Sequence, residues 1–222
     1  MWANCRLARV AGPAGTARTG GWFGAPGTLV YLFTLMVTQL SLTTVSDRLA
    51  QRLLLQESTT PRNLAHEPLQ VLVCSAFWID ADAVGTELTV VAVVAVMVPA
   101  ERWLGTRRWL AVFAAGHVGA TLAATLVAAL AVGFKLLAAL PGGVDVGVSY
   151  GLLGVVGVLT FRWPSARVRW VWALVGAAAL GTLVVVDQAA VDIGHLIAFL
   201  IGLGSWPLIR RGRPVWVQAR LL

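Results

Sequence analysis

Six long apolar runs, separated by shorter polar and charged segments, dominate the hydropathy pattern of the chain. A helix needs about 20 mostly apolar residues to cross the hydrocarbon core of a bilayer. We therefore predict an all-α membrane protein built as a bundle of six transmembrane helices. In chain order the predicted spans are Gly27–Val45, Gly85–Leu104, Trp109–Gly133, Val146–Phe161, Trp170–Val186 and Ile193–Ile209.

The fourth and sixth predicted spans are short for a bilayer. A short helix can begin below the membrane surface where its end lines a water-filled cavity enclosed by protein, because backbone groups there do not face lipid. The lengths of these two spans therefore predict a cavity beside them, on the outer side of the membrane.

Composition agrees with a membrane protein. Hydrophobic residues make up 58% of the 222 residues, charged residues make up 12%, and the mean hydropathy is +0.80. This is far too apolar for a soluble domain of the same length.

Charge predicts how the chain threads the membrane. Arginines cluster before the first predicted span, between the second and third, between the fourth and fifth, and after the sixth, whereas all acids except Glu101 fall on the other side. Because short cytoplasmic segments carry the excess of basic residues, we predict that both termini are cytoplasmic. The chain then consists of a flexible tail (residues 1–26), a membrane domain (27–209) and a basic tail (210–222).

Several classes of protein and ligand are excluded by the sequence. The net charge of +7 comes from arginines that flank the spans, so it does not indicate nucleic-acid binding. No cluster of metal ligands and no nucleotide-binding loop is present, so we expect no metal and no cofactor. One lysine against sixteen arginines is compatible with a GC-rich bacterial genome, and the expected location is a bacterial plasma membrane.

The long segment of residues 46–86 is predicted to face outside. It contains the apolar stretch Leu69–Ile79, which is too short to cross the membrane. Two interpretations remain open for this stretch. It dips into the outer leaflet, or it forms a simple buried helix.

Two polar residues in the predicted spans point to chemistry. Ser149 lies at the outer end of the fourth span, and His195 lies about one turn inside the outer end of the sixth. Threading brings both to one side of the membrane at similar depth, as a serine and histidine dyad requires. Either residue alone has an alternative interpretation as a packing residue. His117, in the middle of the third span, is interpreted as structural.

Small residues form a stripe on each of the two short spans. Gly151, Gly154 and Gly157 share a face of the fourth, and Gly194, Ala198, Gly202 and Ser205 share a face of the sixth. Such stripes permit close backbone approach between helices. Packing of the two stripes against each other would bring Ser149 to His195.

Together these motifs resemble the rhomboid superfamily of intramembrane serine proteases. Gly147-Val148-Ser149 with Gly154 resembles the serine motif of the family's fourth helix, and His195 with Ala198 and Gly202 resembles the histidine motif of its sixth. Glu101-Arg102-Trp103-Leu104-Gly105-Thr106 resembles the turn after its second helix. The resemblance covers about Leu69–Leu208 and implies a six-helix fold in which Ser149 and His195 are catalytic.

The sequence also departs from the family pattern. Tyr150 stands where the residue after the serine is normally glycine, so it must either splay the helix tops or fill a gap. The family's histidine and asparagine, which stabilise the oxyanion, correspond to Gly85 and Thr89. The resemblance thus assigns Gly147, Tyr150 and Thr89 to the oxyanion region or its support, with both side-chain donors lost or weakened.

Two functions from different classes follow. The first is an intramembrane serine protease that cleaves transmembrane segments with Ser149 and His195. The second is an inactive rhomboid-like protein that binds segments of other membrane proteins without cutting them. In both, the partners are the lipid bilayer and transmembrane proteins. A small transporter or channel lacks support, because the spans carry no further charged residue at mid-membrane.

Overall fold

The computed structural model describes residues 24–133, 146–187 and 190–207, and within these ranges the regular elements are helices, with no strand. The predicted all-α class is therefore confirmed. The predicted tails fall outside the described residues, except for residues 24–26. The described helices are α1 (Pro26–Thr44), α2 (Asp47–Glu57), α3 (Pro61–His66), α4 (Pro68–Cys74), α5 (Ala83–Leu104), α6 (Thr106–Gly133), α7 (Ser149–Leu159), α8 (Ala166–Asp187) and α9 (Ala190–Gly204).

Four of the described helices are long and apolar enough to cross a membrane, namely α1, α5, α6 and α8. They correspond to the first, second, third and fifth predicted spans. The other two predicted spans are the shorter apolar helices α7 and α9, and α7 continues into a 3₁₀ turn at Thr160–Arg162. Large apolar side chains on α1 and α8, such as Phe33, Trp170 and Val185, are exposed, as lipid-facing residues are.

Helix α7 begins later than the hydropathy pattern predicts. The predicted span starts at Val146, whereas the helix starts at Ser149. Gly147 has φ +137°, a backbone conformation that L side chains rarely adopt and that cannot belong to a helix. Helix α9 (Ala190–Gly204) begins three residues before the predicted span Ile193–Ile209, and the predicted end at Ile209 lies outside the described residues.

Helices α6, α7 and α9 meet without intervening side chains. A methyl group added at Gly202 of α9 would overlap the backbone of Gly154 and Gly157 on α7, and one added at Gly154 would lie 3.1 Å from Cα of Gly116 on α6. Ala198 is fully buried at the same junction. The two stripes of small residues therefore do face each other, but not over their whole length.

Gly151 is the residue of the predicted stripe that faces elsewhere. A side chain at this position would collide with the ring of Phe113, so Gly151 packs on α6 rather than α9. The missing side chain leaves space for that ring, which packs at 5.0 Å from the ring of Tyr31 on α1.

Glu101, near the C-terminal end of α5, holds three helices together. Its buried carboxylate accepts hydrogen bonds from the backbone N–H groups of Gly27 and Thr28 and from the hydroxyls of Thr28 and Thr106, at 2.7–2.8 Å. The donors belong to the first turns of α1 and α6, whose N–H groups have no partner within their own helix. Hydrogen bonds to an ionised group are the stronger kind, so this carboxylate fixes both helix starts against α5.

The segment between α1 and α5 contains α2, α3, α4 and a 3₁₀ turn, Ser75–Phe77. Side chains of α1 hold its backbone. Tyr31 donates to the carbonyl of Ala76 at 2.6 Å, Thr38 to that of Phe77 at 2.6 Å and Gln39 to that of Ile79 at 3.1 Å. In the predicted stretch Leu69–Ile79, Val71, Ser75 and Ala76 are buried whereas Leu69 and Val73 are exposed.

Candidate functional site

The structure brings Ser149 and His195 into direct contact. Ser149 is the first residue of α7, and His195 lies in the second turn of α9. The hydroxyl Oγ of Ser149 is 3.0 Å from Nε2 of His195, which is hydrogen-bonding distance. The close packing of α7 on α9 through Gly154, Gly157 and Gly202 makes this approach possible.

Asp192 is part of the same site, although the sequence analysis did not select it. Its Oδ1 lies 3.7 Å from Nδ1 of His195, the ring nitrogen that faces away from Ser149, and both side chains are largely buried. The available signal was an acid three residues before the histidine, which places the two on one face of a helix. The hydropathy pattern did not place Asp192 in a helix, because the predicted sixth span begins only at Ile193.

Tyr150 fills the space beside Gly194 on the facing helix α9. Only 2% of its surface is exposed. A methyl group added at Gly194 would lie 2.6 Å from the phenol ring, so the ring occupies the space that a side chain on α9 would need. The ring also packs edge-on against the imidazole of His195, with centroids 5.2 Å apart. Of the two expected alternatives, the structure therefore shows the filled gap.

A cavity of about 370 Å³ opens beside Ser149. Residues 146–149 form one wall, residues 79–81 a second, and Leu88, Thr89 and Ala92 of α5 a third. Ser149, Thr89 and Asp80 are its polar lining residues, and the rest of the lining is apolar or glycine. The hydroxyl of Ser149 therefore lies at the edge of an open cavity that is bounded on another side by α5.

Gly85 and Thr89 supply no side-chain donor to this cavity. Gly85 has no polar side chain, and the hydroxyl of Thr89 donates to the carbonyl of Gly85 at 2.8 Å within its own helix. The alternative donors are the backbone N–H groups in the first turn of α7. This helix has no side-chain cap, and N–H groups at a helix start attract negative charge.

His117 lies outside the cavity, on the far side of Tyr150. Its Nε2 shares a hydrogen bond of 3.1 Å with the hydroxyl of Ser75, and both residues are buried. Nδ1 makes no hydrogen bond of good geometry, although the backbone of Leu72 lies close to the imidazole. The ring is stacked with that of Phe113, with centroids 6.4 Å apart. His117 therefore does not touch Ser149 or His195 directly.

Within the described ranges, no set of three or more His, Cys, Asp or Glu residues is placed so that it could hold a metal ion. The groups that meet at the site are the hydroxyl of Ser149, the imidazole of His195, the carboxylate of Asp192 and the start of α7.

Comparison with known proteins identifies a family. The family described as rhomboid-like proteins matches residues 23–215, which is most of the chain. No curated protein and no solved structure gives a significant match. Because the family match spans all the described helices, the chain belongs to the rhomboid-like proteins and is a multi-pass membrane protein.

Proposed function

We propose that the protein is an intramembrane serine protease that cleaves transmembrane segments of other proteins with Ser149 and His195. The observation that supports this most is the 3.0 Å contact between Ser149 Oγ and His195 Nε2 at the edge of a cavity. Serine side chains inside membrane helices ordinarily donate to a carbonyl of the preceding turn. Ser149 is the first residue of its helix and instead faces an imidazole.

In the proposed reaction, Oγ of Ser149 attacks the peptide carbonyl and Nε2 of His195 accepts the hydroxyl proton. His195 then donates this proton to the leaving amine, and a water molecule releases the acyl group from the serine by the same steps. Asp192, beside Nδ1, favours the tautomer that carries its proton on Nδ1 and leaves Nε2 free to accept. Backbone N–H groups at the start of α7 stabilise the oxyanion.

The proposed topology has six spans with both termini in the cytoplasm, and the proposed location is a bacterial plasma membrane. Helices α7 and α9 count as the fourth and sixth spans, and the site then faces the outer half of the bilayer. The substrate is a transmembrane segment whose outer end unwinds, because a helix keeps its peptide carbonyls in its own hydrogen bonds. Gly147, Tyr150 and Thr89 line or support the site without taking part in proton transfer.

Cleavage of a transmembrane test substrate in proteoliposomes checks this proposal. Wild type is expected to cut the substrate, and Ser149→Ala and His195→Ala should each abolish cleavage. The double variant should be no worse than either, because residues that act as one unit are not additive. Ser205→Ala is the matched control, since this serine, which directly follows α9, donates to the carbonyl of Ile201 on that helix. Cleavage that survives Ser149→Ala would contradict the proposal.

A second candidate function is a rhomboid-like protein that binds membrane segments without cutting them. One observation favours it. Thr89 stands at the position of the family's oxyanion-stabilising asparagine, but its hydroxyl donates its hydrogen bond to the carbonyl of Gly85 in its own helix. Loss of one such donor costs about a hundredfold to a thousandfold in turnover. This candidate predicts that wild type binds the test substrate without cleaving it, and that restoring a donor by Thr89→Asn produces cleavage.

A further inference from the structure

His117 has no place in the proposed proton transfers, yet it is a buried polar side chain in the middle of α6. Only 3% of its surface is exposed, and its partner Ser75 is fully buried. Burying two polar side chains in an apolar interior is unfavourable unless they bond each other, and removing one leaves the other unpaired at a cost of about 1–3 kcal/mol. The hydrogen bond between them therefore fixes Ser75 to α6.

Ser75 connects this hydrogen bond to the start of α7. Its backbone carbonyl accepts a hydrogen bond of 2.8 Å from the N–H of Gly147. Gly147 is the residue with φ +137°, two positions before Ser149. The glycine turn therefore sets where α7 begins and where the serine hydroxyl points, and Ser75 holds that turn in place.

The segment that carries Ser75 is held from the opposite side as well. The three side chains of α1 that donate to the carbonyls of Ala76, Phe77 and Ile79 fix it against the first helix. His117 holds Ser75 itself against α6 through the hydrogen bond between their side chains. A second contact connects His117 with His195 through Tyr150. The centroid of the His117 ring lies 6.4 Å from that of Tyr150, and the Tyr150 ring packs on His195.

We propose that His117 is a positioning residue, which holds Ser75 so that its carbonyl fixes the Gly147 turn and aims the hydroxyl of Ser149 at His195. The proposal rests on the proposed role of Ser149 and His195. It separates His117 from the catalytic residues, because it acts through Ser75 and touches no reacting atom. A displacement of about 1 Å in a reacting group can cost a hundredfold in rate, so a loosened turn affects chemistry before it affects the fold.

The rate at which a fluorophosphonate labels Ser149 tests the proposal. His117→Leu and Ser75→Ala should each slow labelling by about a hundredfold. His117→Gln should restore most of the rate, since its amide reaches the position of Nε2 and can bond the Ser75 hydroxyl. Thr125→Val is the matched control. Thr125 is a buried residue of α6 that donates to the carbonyl of Thr59 in the same segment between α1 and α5, at 3.1 Å, without a link to Gly147.

The four variants distinguish positioning from general stability. The proposal expects Thr125→Val to lower the thermal unfolding temperature much as His117→Leu does, while it labels at the wild-type rate. The proposal is overturned if the labelling rate falls together with the unfolding temperature in all four variants, Thr125→Val included. It is also overturned if His117→Gln labels as slowly as His117→Leu.

A second measurement does not depend on reactivity. The chain has only three histidines, so the ¹⁵N spectrum of histidine-labelled protein is simple to assign. Ser149→Ala removes the partner of His195 Nε2 and should shift the His195 signal, and His117→Leu should move it in the same direction. An unchanged His195 signal in His117→Leu overturns the positioning role alone. A signal that Ser149→Ala leaves unchanged overturns the dyad, and the positioning role with it.

Discussion

At the scale of single residues, what distinguishes Ser149 is the partner of its hydroxyl. Ser41 donates to the carbonyl of Val37 at 2.8 Å and Ser205 to that of Ile201 at 2.9 Å, one helical turn back in each case. Ser149 has no preceding turn, because Gly147 and Val148 precede the helix. Its hydroxyl is therefore available to His195.

The first prediction concerns Asp192. Asp192→Asn should slow the labelling of Ser149 by about tenfold, since the amide no longer stabilises the imidazolium or favours the required tautomer. The separation of 3.7 Å is longer than a hydrogen bond, which is why a smaller effect is expected than in a bonded triad. Glu87→Gln, at an exposed acid of α5, is the control. Equal rates for wild type and Asp192→Asn would remove Asp192 from the site.

At the scale of helices, the glycine junction of α6, α7 and α9 and the carboxylate of Glu101 hold the bundle together. The junction acts by close contact between backbones, whereas the carboxylate accepts hydrogen bonds from the first turns of α1 and α6. A side chain inserted at the junction would meet backbone atoms, and a rotamer change cannot relieve that contact.

The second prediction tests the junction. Gly202→Ala should lower the free energy of unfolding by at least about 1–3 kcal/mol, as overpacking does, because its methyl group meets the backbone of Gly154 and Gly157. Gly204→Ala, on the same helix, meets nothing within 4 Å and should be neutral. Thermal unfolding in detergent measures both, and equal stability would refute the observed packing.

The third prediction tests the carboxylate. Glu101→Gln should destabilise the fold by about 3 kcal/mol, because an amide replaces an ionised acceptor of several hydrogen bonds with a group that carries its own donors. Glu87→Gln on the same helix again serves as the control. A variant as stable as wild type would mean that Glu101 does not hold α1 and α6.

Sequence patterns predicted the long helices well and the site in part. Both ends of α1 and α5 and the start of α6 lie within three residues of the predicted ones, because unbroken apolar runs and the polar residues that bound them are visible in the sequence. The start of α7 was missed because a positive φ at Gly147 leaves no trace in hydropathy. Ser75 and His117 are 42 residues apart, and no local pattern relates a serine of the segment between α1 and α5 to a histidine of a later helix.

At the scale of the whole molecule, the proposed topology puts the loop before α2 and the loop before α8 on opposite sides of the membrane. The fourth prediction follows. Single cysteines at Ser46 and Ser165, in a background without Cys5 and Cys74, should react with an impermeant maleimide from outside and inside respectively. Both positions are exposed. Labelling from the same side would remove the six-span topology.

The central claim is that Ser149 and His195 form a reactive pair. Its most direct test is covalent labelling of the purified, folded wild-type protein by a fluorophosphonate, with the modified residue identified by mass spectrometry. We expect one modified residue, Ser149, and loss of labelling in both Ser149→Ala and His195→Ala, since the imidazole is the group that activates the hydroxyl. Absence of label on a folded wild type, or label at Ser149 that persists in His195→Ala, would contradict it.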